Sequence, residues 1–293
     1  MIYVIINPMA GEGHPLQMQH QIEQELAARS LEYRSVATEY PGHATLLARE
    51  AVRQGADVVV CGGDGTISEV LDGVAGSEST LYIVPCGTGN DFVRSYFGLD
   101  RDPMQALRQQ LDGEEVRVDC GSINGGERAF MNVSGSGFDV DVLERLQQFR
   151  GHGKGVKPYL MALISALRFF KPIQCEVTLD GQNARHSLTI LSVANGQYFG
   201  GGMRIAREAS INDGLFDVIL IKKVPRFVIA LLLPTLVNGS FIRLPVCELH
   251  RCRQVIVRAP GMTVNVDGEL YRMDEVRYEM MAGCLRMRKP AGK

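Results

Sequence analysis

The sequence predicts an α/β half followed by a β-rich half. Over about the first 110 residues, continuous apolar runs alternate with stretches whose apolar residues recur every three or four positions, as buried strands alternate with amphipathic helices. Such β-α-β repeats predict a parallel sheet with helices on both faces. Beyond that point, short β-like runs separated by glycine turns predict a sandwich-like domain.

In the first half, each predicted strand is an aliphatic run and each predicted helix carries one apolar stripe. The first strand ends at Asn7-Pro8, and the third is followed by Pro85 and a glycine-rich segment, both typical of loops. The predicted strands are Ile2–Ile6, Asp57–Cys61 and Leu81–Val84, and the predicted helices are Leu16–Ala28, one following Gly42, and Ile67–Val74.

In the second half, β-branched and aromatic runs predict strands, and two longer apolar segments predict helices. The predicted strands are Val116–Asp119, Phe130–Val133, Cys175–Leu179, Leu188–Val193, Phe216–Ile221, Val255–Val257, Val264–Val266 and Val276–Tyr278, and the predicted helices are Tyr159–Phe170 and Phe227–Val237. We therefore expect one domain over residues 1–113 and a β-rich domain over residues 114–293, whose last residues pack back on the first.

Composition excludes several classes of protein. The 293 residues carry a net charge of −2, so the overall charge does not favour nucleic acid as a partner. The seven cysteines lack the spacing of a CxxC motif, and we expect reduced thiols, as in the cytoplasm. The longest apolar run, Phe227–Val237, is well short of the roughly 20 residues that cross a bilayer. We expect neither a signal peptide nor a transmembrane helix.

Three glycine-containing loops follow predicted parallel strands, and they carry the functional prediction. They are Asn7–Gly13, Gly62–Thr66 and Gly87–Asp91. Ligands of open α/β sheets bind beyond the carboxyl ends of the strands, where glycines let backbone N–H groups approach phosphate oxygens. A glycine turn can also be purely structural. Three such loops at one edge nevertheless predict a polyphosphate site.

Asp64 sharpens this prediction. It stands between glycines in Gly62-Gly63-Asp64-Gly65-Thr66, where a carboxylate beside phosphates is unfavourable unless it holds a cation or a proton. The chain has no GxxxxGK[ST] loop, no GxGxxG with a downstream acidic partner, and no HRD signature. Those nucleotide folds are therefore not expected.

Together these motifs resemble the bacterial diacylglycerol-kinase-type soluble lipid kinases. The resemblance rests on Gly62–Thr66, Pro85–Asp91, Asn7-Pro8 with Gly11, and Asp267-Gly268-Glu269, and it covers essentially the whole chain in order. Sphingosine kinases are relatives of this family, and NAD kinases and phosphofructokinases are remoter ones. The resemblance implies an ATP-dependent kinase of diacylglycerol or a related lipid alcohol, which uses Mg²⁺.

The resemblance also implies roles for particular residues. The nucleotide-binding positions it implies are Asn7, Pro8, Gly11, Thr38, Gly62, Gly63, Asp64, Gly65, Thr66, Ile67, Ser68, Thr88, Asn90 and Asp91. Asp64 and Glu269 are the implied catalytic residues, with Glu269 matching the proposed general base and the choice between the two left open. Asp-Gly is also a common hairpin turn, which is the structural alternative for Asp267-Gly268-Glu269.

A metal site is implied in the second half. Ser210, Asp213 and Leu215 match a structural site built from backbone carbonyls and one carboxylate, and Asp119 resembles a further acidic residue of a magnesium-linked network. Asp64 and Asp91 are expected to share that network, holding Mg²⁺ directly or through water. Asp213 beside Gly214 could instead form a simple turn.

The expected partner is a lipid alcohol at the inner face of the membrane, reached by a cytoplasmic protein that associates peripherally. The candidate membrane contacts are Lys154, Lys157, Arg168 and Lys171 around one apolar helix, and Lys222, Lys223 and Arg226 before the other. The alternatives are a soluble NAD- or sugar-phosphate-type kinase and a non-catalytic nucleotide- or lipid-binding regulator. The sequence leaves open the acceptor lipid and the oligomeric state, including a homo-oligomer.

Overall fold

A computed structural model describes residues 1–97, 102–149 and 157–289. Its first half alternates strands with helices, as the periodicities predict. The elements are β1 (Ile2–Ile6), α1 (His14–Ala28), β2 (Tyr33–Ala37), α2 (His43–Arg53), β3 (Asp57–Gly62), α3 (Asp64–Val74), β4 (Thr80–Pro85), α4 (Asp91–Phe97) and α5 (Pro103–Leu111), with a short 3₁₀ helix at Ala10–Gly13.

The strands of this half pair in parallel, in the order β4-β3-β1-β2. Because parallel neighbours end at the same edge, the loops after all of them meet there. The strands are buried on both faces: Tyr3 and Ile5 pack towards α2 and α3, whereas Val4 and Ile6 pack towards α1 and α5. This double burial explains their continuous apolar sequences.

The second half is β-rich, with three helices among the described residues. Its elements are β5 (Glu114–Ile123), β6 (Arg128–Phe130), β7 (Val133–Gly137), α6 (Phe138–Phe149), α7 (Lys157–Phe169), β8 (Ile173–Leu179), β9 (Gln182–Ala194), β10 (Tyr198–Phe199), β11 (Met203–Arg204), β12 (Phe216–Lys222), α8 (Arg226–Asn238), β13 (Cys247–Cys252), β14 (Gln254–Val266) and β15 (Glu269–Lys289), with a 3₁₀ helix at Ser240–Arg243.

The long strands β9 and β14 organise the second half. Each pairs with β7 at one end and with β8 at the other, so the antiparallel sheet closes on itself. A core that includes Phe130, Phe216 and Tyr278 fills the enclosed space. The predicted two-part architecture, α/β followed by β-rich, is confirmed.

The two halves share one sheet through β15. This strand pairs antiparallel with β14 and β5, and near its end Arg286 and Met287 pair in parallel with Thr80 and Leu81 of β4. A disulfide between Cys120 of β5 and Cys284 of β15 lies close to this junction. The expectation of reduced thiols is therefore wrong for these two cysteines, which lie on paired strands although 164 residues apart in sequence.

One sequence prediction of an element is corrected. The single strand predicted over Phe130–Val133 is two strands, because the N–H groups of Met131 to Val133 donate to the carboxylate of Asp267 instead of to a neighbouring strand. Helix α8 continues through Pro234, as predicted for the Phe227–Val237 run. Within the ranges described, no helix is long and apolar enough to cross a membrane.

Candidate active site

The carboxyl edge of the parallel sheet holds a cleft of about 390 Å³. Asn7 follows β1, Thr38 follows β2, Gly63 follows β3 and Gly87 follows β4, so the topology brings the predicted loops together. Helix α3 begins at Asp64, and its N-terminus faces this edge. The residues lining the cleft are Asn7, Ala10, Gly11, Gly63, Asp64, Gly65, Thr66, Glu69, Gly87, Thr88 and Gly89.

Close packing requires several of the loop glycines, although nothing lies within 4 Å of a Cβ built on Gly65. A Cβ on Gly87 would lie 2.6 Å from the Cα of Gly63, so the two loops touch backbone to backbone. Gly11 has a φ of +49°, a conformation that L side chains rarely adopt. Backbone N–H groups and a helix N-terminus without side chains in front of them form a suitable anion site.

Asp64 bridges the second and third loops. Its Oδ1 accepts the backbone N–H of Asp91 at 2.8 Å. Burial raises the pKa of Asp64, and the neighbouring Asp91 carboxylate raises it further. A cation between these two carboxylates would remove that penalty.

Asp91 is buried at the start of α4. Its Oδ2 accepts the N–H of Gly201 at 2.9 Å, whereas its buried Oδ1 has no hydrogen-bond partner among the described residues. Burial raises the pKa of Asp91 as well. Carboxylate oxygens are the ligands that Mg²⁺ prefers, so an unpaired oxygen close to Asp64 fits a magnesium ion.

Several of the predicted nucleotide-binding residues have side chains that bond other residues of the loops. Asn7 Nδ2 donates to Thr66 Oγ1 at 2.8 Å, and the Asn90 side chain bonds both the N–H and the carbonyl of Gly87. The Ile67 side chain packs in the core between β1 and helices α2 and α3, and Ser68 Oγ accepts a hydrogen bond from Arg128 at 3.2 Å. These side chains hold the loop conformation. Pro8, Gly62 and Thr38 belong to the same edge, and the Thr38 N–H donates to the Ile6 carbonyl.

A second, largely apolar cavity of about 430 Å³ adjoins the cleft. Asp64, Thr88 and Gly89 line both spaces, so the glycine loops form the boundary between them. Asp91, Asn132, Asn265, Asp267 and Gly268 form the rest of the cavity's polar end, and Asp139 also lines the cavity. Its body is lined by Phe138, Val142, Leu143, Tyr159, Leu163, Ile190, Phe199, Met203, Leu233 and Leu236.

Asp267 anchors the cavity wall beside Asp64. Its carboxylate accepts the N–H groups of Met131, Asn132 and Val133 at 2.7, 3.1 and 3.0 Å. Burial raises the pKa of Asp267 to about 6 in spite of these bonds, and the charge of Asp64 contributes in the same direction. Both oxygens already accept backbone N–H groups, so the carboxylate of Asp267 is held by the Met131 to Val133 segment.

Glu269 lies two residues further along, with 45% of its side chain exposed. Arg128 pairs with one of its oxygens at 3.1 Å, and the Tyr271 hydroxyl donates to the other at 2.7 Å. Arg128 also pairs with Asp72 of α3 at 2.7 Å. One arginine therefore connects the implied general base to the helix that begins at Asp64.

The implied metal loop lies elsewhere in the second half. Asp213 pairs with Arg251, and its Oδ1 accepts the N–H of Leu215 at 3.1 Å. Asp119 accepts from Gly214 and Gly283 at 2.7 and 2.6 Å, so it holds this loop against β15. The carboxylate oxygens of Asp119 thus accept backbone N–H groups of this loop and of β15.

Some of the oxygen atoms near this loop could bind a cation, but others are already paired. The buried Oδ2 of Asp217 has no partner among the described residues, and burial raises the pKa of Asp217 to about 6. Arg251, however, already contacts both Asp213 and Asp217. Ser210 Oγ donates to Asn212 Oδ1 at 2.8 Å. No group of three His, Cys, Asp or Glu side chains that could hold a metal occurs in the described ranges.

Sequence reasoning missed Asn132 and Gly201, and it gave Asp267 no role of its own within the Asp267-Gly268-Glu269 motif. Asn132 lines the polar end of the cavity, and Gly201 bonds Asp91. The run Gly200-Gly201-Gly202 was the available signal for a close backbone approach. Asn132 has no comparable local signal.

Comparison with known families matches the chain in two pieces. Residues 1–123 match the diacylglycerol kinase catalytic domain. Residues 132–289 match the YegS C-terminal NAD kinase beta sandwich-like domain. The two matches follow one another along the chain and meet near β6.

Individual relatives match over most of their length. A Mycobacterium tuberculosis diacylglycerol kinase is 31% identical over 274 residues, covering 92% of this chain and 88% of its own. A Pseudomonas putida protein described as a YegS-like lipid kinase is 30% identical over 257 residues, covering 86% and 83%. A crystal structure of a Bacillus anthracis diacylglycerol kinase superposes with a TM-score of 0.74 at 22% identity, over 99% of this chain and 97% of that one, which shows the fold.

Proposed function

This chain belongs to the family of bacterial diacylglycerol kinases and YegS-like lipid kinases, and we propose that it transfers the γ-phosphate of ATP to the hydroxyl of diacylglycerol or a related lipid alcohol. One observation carries the proposal. Asp64, Thr88 and Gly89 line both the glycine-loop cleft and the apolar cavity, so a phosphate in one can meet a hydroxyl in the other.

The nucleotide is assigned to residues 1–113. The backbone of Gly11, Gly63, Gly65 and Gly89, which lines the cleft, and the N-terminus of α3 suit its phosphates. Asp64 and Asp91 would hold Mg²⁺, as the unpaired Oδ1 of Asp91 supports. When bound, the ion neutralises phosphate charge, which is the main requirement of phosphoryl transfer.

The acceptor is assigned to residues 114–293. Apart from Asp139, aliphatic and aromatic side chains line the cavity away from its polar end, which suits an acyl chain and disfavours NAD or a sugar phosphate as the acceptor. The hydroxyl of the lipid would lie at the polar end, beside Asp64 and Asp267. The protein would meet this lipid at the inner face of the membrane as a peripheral, cytoplasmic enzyme.

Glu269 is proposed to accept the proton of the attacking hydroxyl. Its carboxylate is partly exposed and is oriented by Arg128 and Tyr271, while the neighbouring Gly268 lines the cavity. Asp267 already accepts three backbone N–H groups and instead positions the turn. A general base positioned beside the reacting hydroxyl typically contributes about 10²- to 10⁴-fold to the rate.

The experiment is an ATP-consumption assay against a panel of diacylglycerol, long-chain monohydric alcohols, glycerol, a sugar phosphate and NAD, with and without Mg²⁺. The proposal expects turnover only with the lipid alcohols and only with the divalent cation. Turnover restricted to NAD or the sugar phosphate would replace the acceptor assignment. ATP binding without turnover on any acceptor would indicate a non-catalytic regulator.

A further inference from the structure

Helices α7 and α8 have two functional sides. On their inner side, Leu163 of α7 and Leu233 and Leu236 of α8 line the apolar cavity. The two helices belong to one core, which includes Ala162, Ala166, Ile229 and Leu232. They therefore form a continuous wall between the cavity and the outside.

The outer side of this wall is also apolar. Leu160 and Ile164 of α7 are 52% and 57% exposed, and Phe227 and Leu231 of α8 are 69% and 70% exposed. Ala230 and Pro234 are exposed on α8 as well. A helix that is apolar all round normally lies within a protein core or in lipid, because water disfavours such an outer face.

The charged residues within the two chain segments that contain these helices share one sign. The sequence has no Asp or Glu in residues 157–175 or 218–247. Basic residues stand in both segments: Lys157, Arg168, Lys171, Lys222, Lys223, Arg226 and Arg243. Lys222 pairs with Glu248 at 2.7 Å, and Arg226 donates to the Phe170 carbonyl at 3.4 Å. Lys154 lies outside the described residues. The remaining cations complement an anionic surface.

We propose that the outer face of α7 and α8 docks on an anionic lipid bilayer, so that the acceptor reaches the cavity directly from the membrane at this wall. The helices have 13 residues each, too short to cross a bilayer, so they lie at its interface. The route of the acceptor rests on the proposed function, whereas the docking does not. The same two helices thus hold the lipid on one side and the bilayer on the other.

The test is binding to sedimented vesicles made of equal parts phosphatidylcholine and phosphatidylglycerol. Phe227→Ser with Leu231→Ser is expected to weaken binding by about tenfold or more, because two apolar side chains no longer enter the lipid. Leu160→Ser with Ile164→Ser should do the same from α7. Leu46→Ser is the matched control, since Leu46 is a helical leucine that is 50% exposed in the other half.

The contribution of the basic side chains to vesicle binding is tested with a double variant, Lys171→Gln with Lys223→Gln. This variant should bind the mixed vesicles roughly tenfold more weakly, should equal the parent on pure phosphatidylcholine, and should reduce the salt dependence of binding. All variants should melt as the parent does, because the replaced side chains are exposed. They should also keep the parent's turnover on dioctanoylglycerol dispersed in detergent micelles, where no bilayer is needed.

Unchanged vesicle binding in both apolar variants would overturn the docking. So would a parent dimer in sedimentation velocity that Leu231→Ser dissociates, because a second copy would then cover the face. If the parent phosphorylates no lipid alcohol even in micelles, the proposed function fails, while vesicle binding still decides the docking.

Discussion

At the scale of single residues, Asp64 combines two opposed demands. It is a partly buried carboxylate beside a second one, which costs free energy, yet it accepts the N–H that fixes the third loop. Asparagine can keep that hydrogen bond through its own Oδ1 but cannot supply negative charge. The substitution therefore separates the structural role of Asp64 from its electrostatic role.

Asp64→Asn is expected to lower kcat by on the order of 10²-fold or more, a loss of roughly 3 kcal/mol of transition-state stabilisation, with an unchanged melting temperature. Asp57→Asn is the matched control. Asp57 begins β3, the strand that precedes Asp64, and its Oδ1 accepts the Thr80 N–H at 2.8 Å, but it stands at the opposite edge of the sheet. Near-normal turnover in Asp64→Asn would contradict the assignment of the cation to this carboxylate.

Glu269→Gln should lower kcat by about 10²- to 10⁴-fold and leave the KM for ATP nearly unchanged, because a general base acts in the chemical step. Steady-state kinetics with diacylglycerol in micelles measures both constants. Glu275→Gln is the control, since Glu275 lies on the same strand and also pairs with arginines, Arg258 and Arg277. Equal losses in the two variants would remove Glu269 from the mechanism.

The raised pKa of Asp267 predicts how the activity depends on pH. With a pKa of about 6, its carboxylate becomes protonated as the pH falls through that value, weakening three N–H bonds that shape the cavity beside Asp64. We expect kcat to fall below about pH 6. Asp267→Asn should have a low, pH-independent kcat in that range. An acid limb that persists unchanged in this variant would belong to another group.

Unfolding does not explain that acid limb. Because burial raises the pKa of Asp267, the folded protein binds this proton more tightly than the unfolded chain does. The contribution of this group to stability is therefore full below about pH 4, the ordinary range of an aspartate. It is lost as the pH rises through about 6.

At the scale of elements, the Ser210–Leu215 loop tests the implied metal. Asp213→Ala should lower the melting temperature and activity together, and excess Mg²⁺ should raise the melting temperature of the parent by mass action. Arg251→Gln separates the two explanations, because it removes the ion pair and keeps the carboxylate. If the parent melts identically with chelator and with Mg²⁺, and Arg251→Gln is as unstable as Asp213→Ala, the arginine alone stabilises this loop.

Elements with a strong local pattern were predictable from sequence. The runs at Ile2–Ile6 and Asp57–Cys61 and the stripe in α2 carry their periodicity within a few residues. Helix α6 was missed, because Gly135 and Gly137 precede it and resemble a turn. Helices α4 and α5 were missed as well, α4 being only seven residues long.

The nucleotide edge was predictable for a topological reason, and the acceptor cavity was not. Parallel strands carry their following loops to one edge whatever their length, so Asn7, Gly63 and Gly87 meet. The bonds from Met131 and Val133 to Asp267 cross more than 130 residues of sequence, as does the disulfide of Cys120. Local sequence periodicity cannot predict contacts between residues so far apart in the chain.

At the scale of the whole molecule, the last strand makes the two halves depend on each other. Leu285 and Met287 of β15 are buried in the same core as Val58 and Val60 of the first half. Arg128 joins the halves a second time through Asp72. The core of the nucleotide half is therefore completed by residues near the end of the described chain.

We predict that both halves unfold in one cooperative transition, with a calorimetric enthalpy equal to the van't Hoff enthalpy. Met287→Ala should lower the stability of that single transition by about 2 to 5 kcal/mol, because it leaves a cavity in the shared core. Met9→Ala, at an exposed methionine, is the control and should shift nothing. Two separate transitions, of which Met287→Ala moves only one, would show that the β15 junction does not couple the halves.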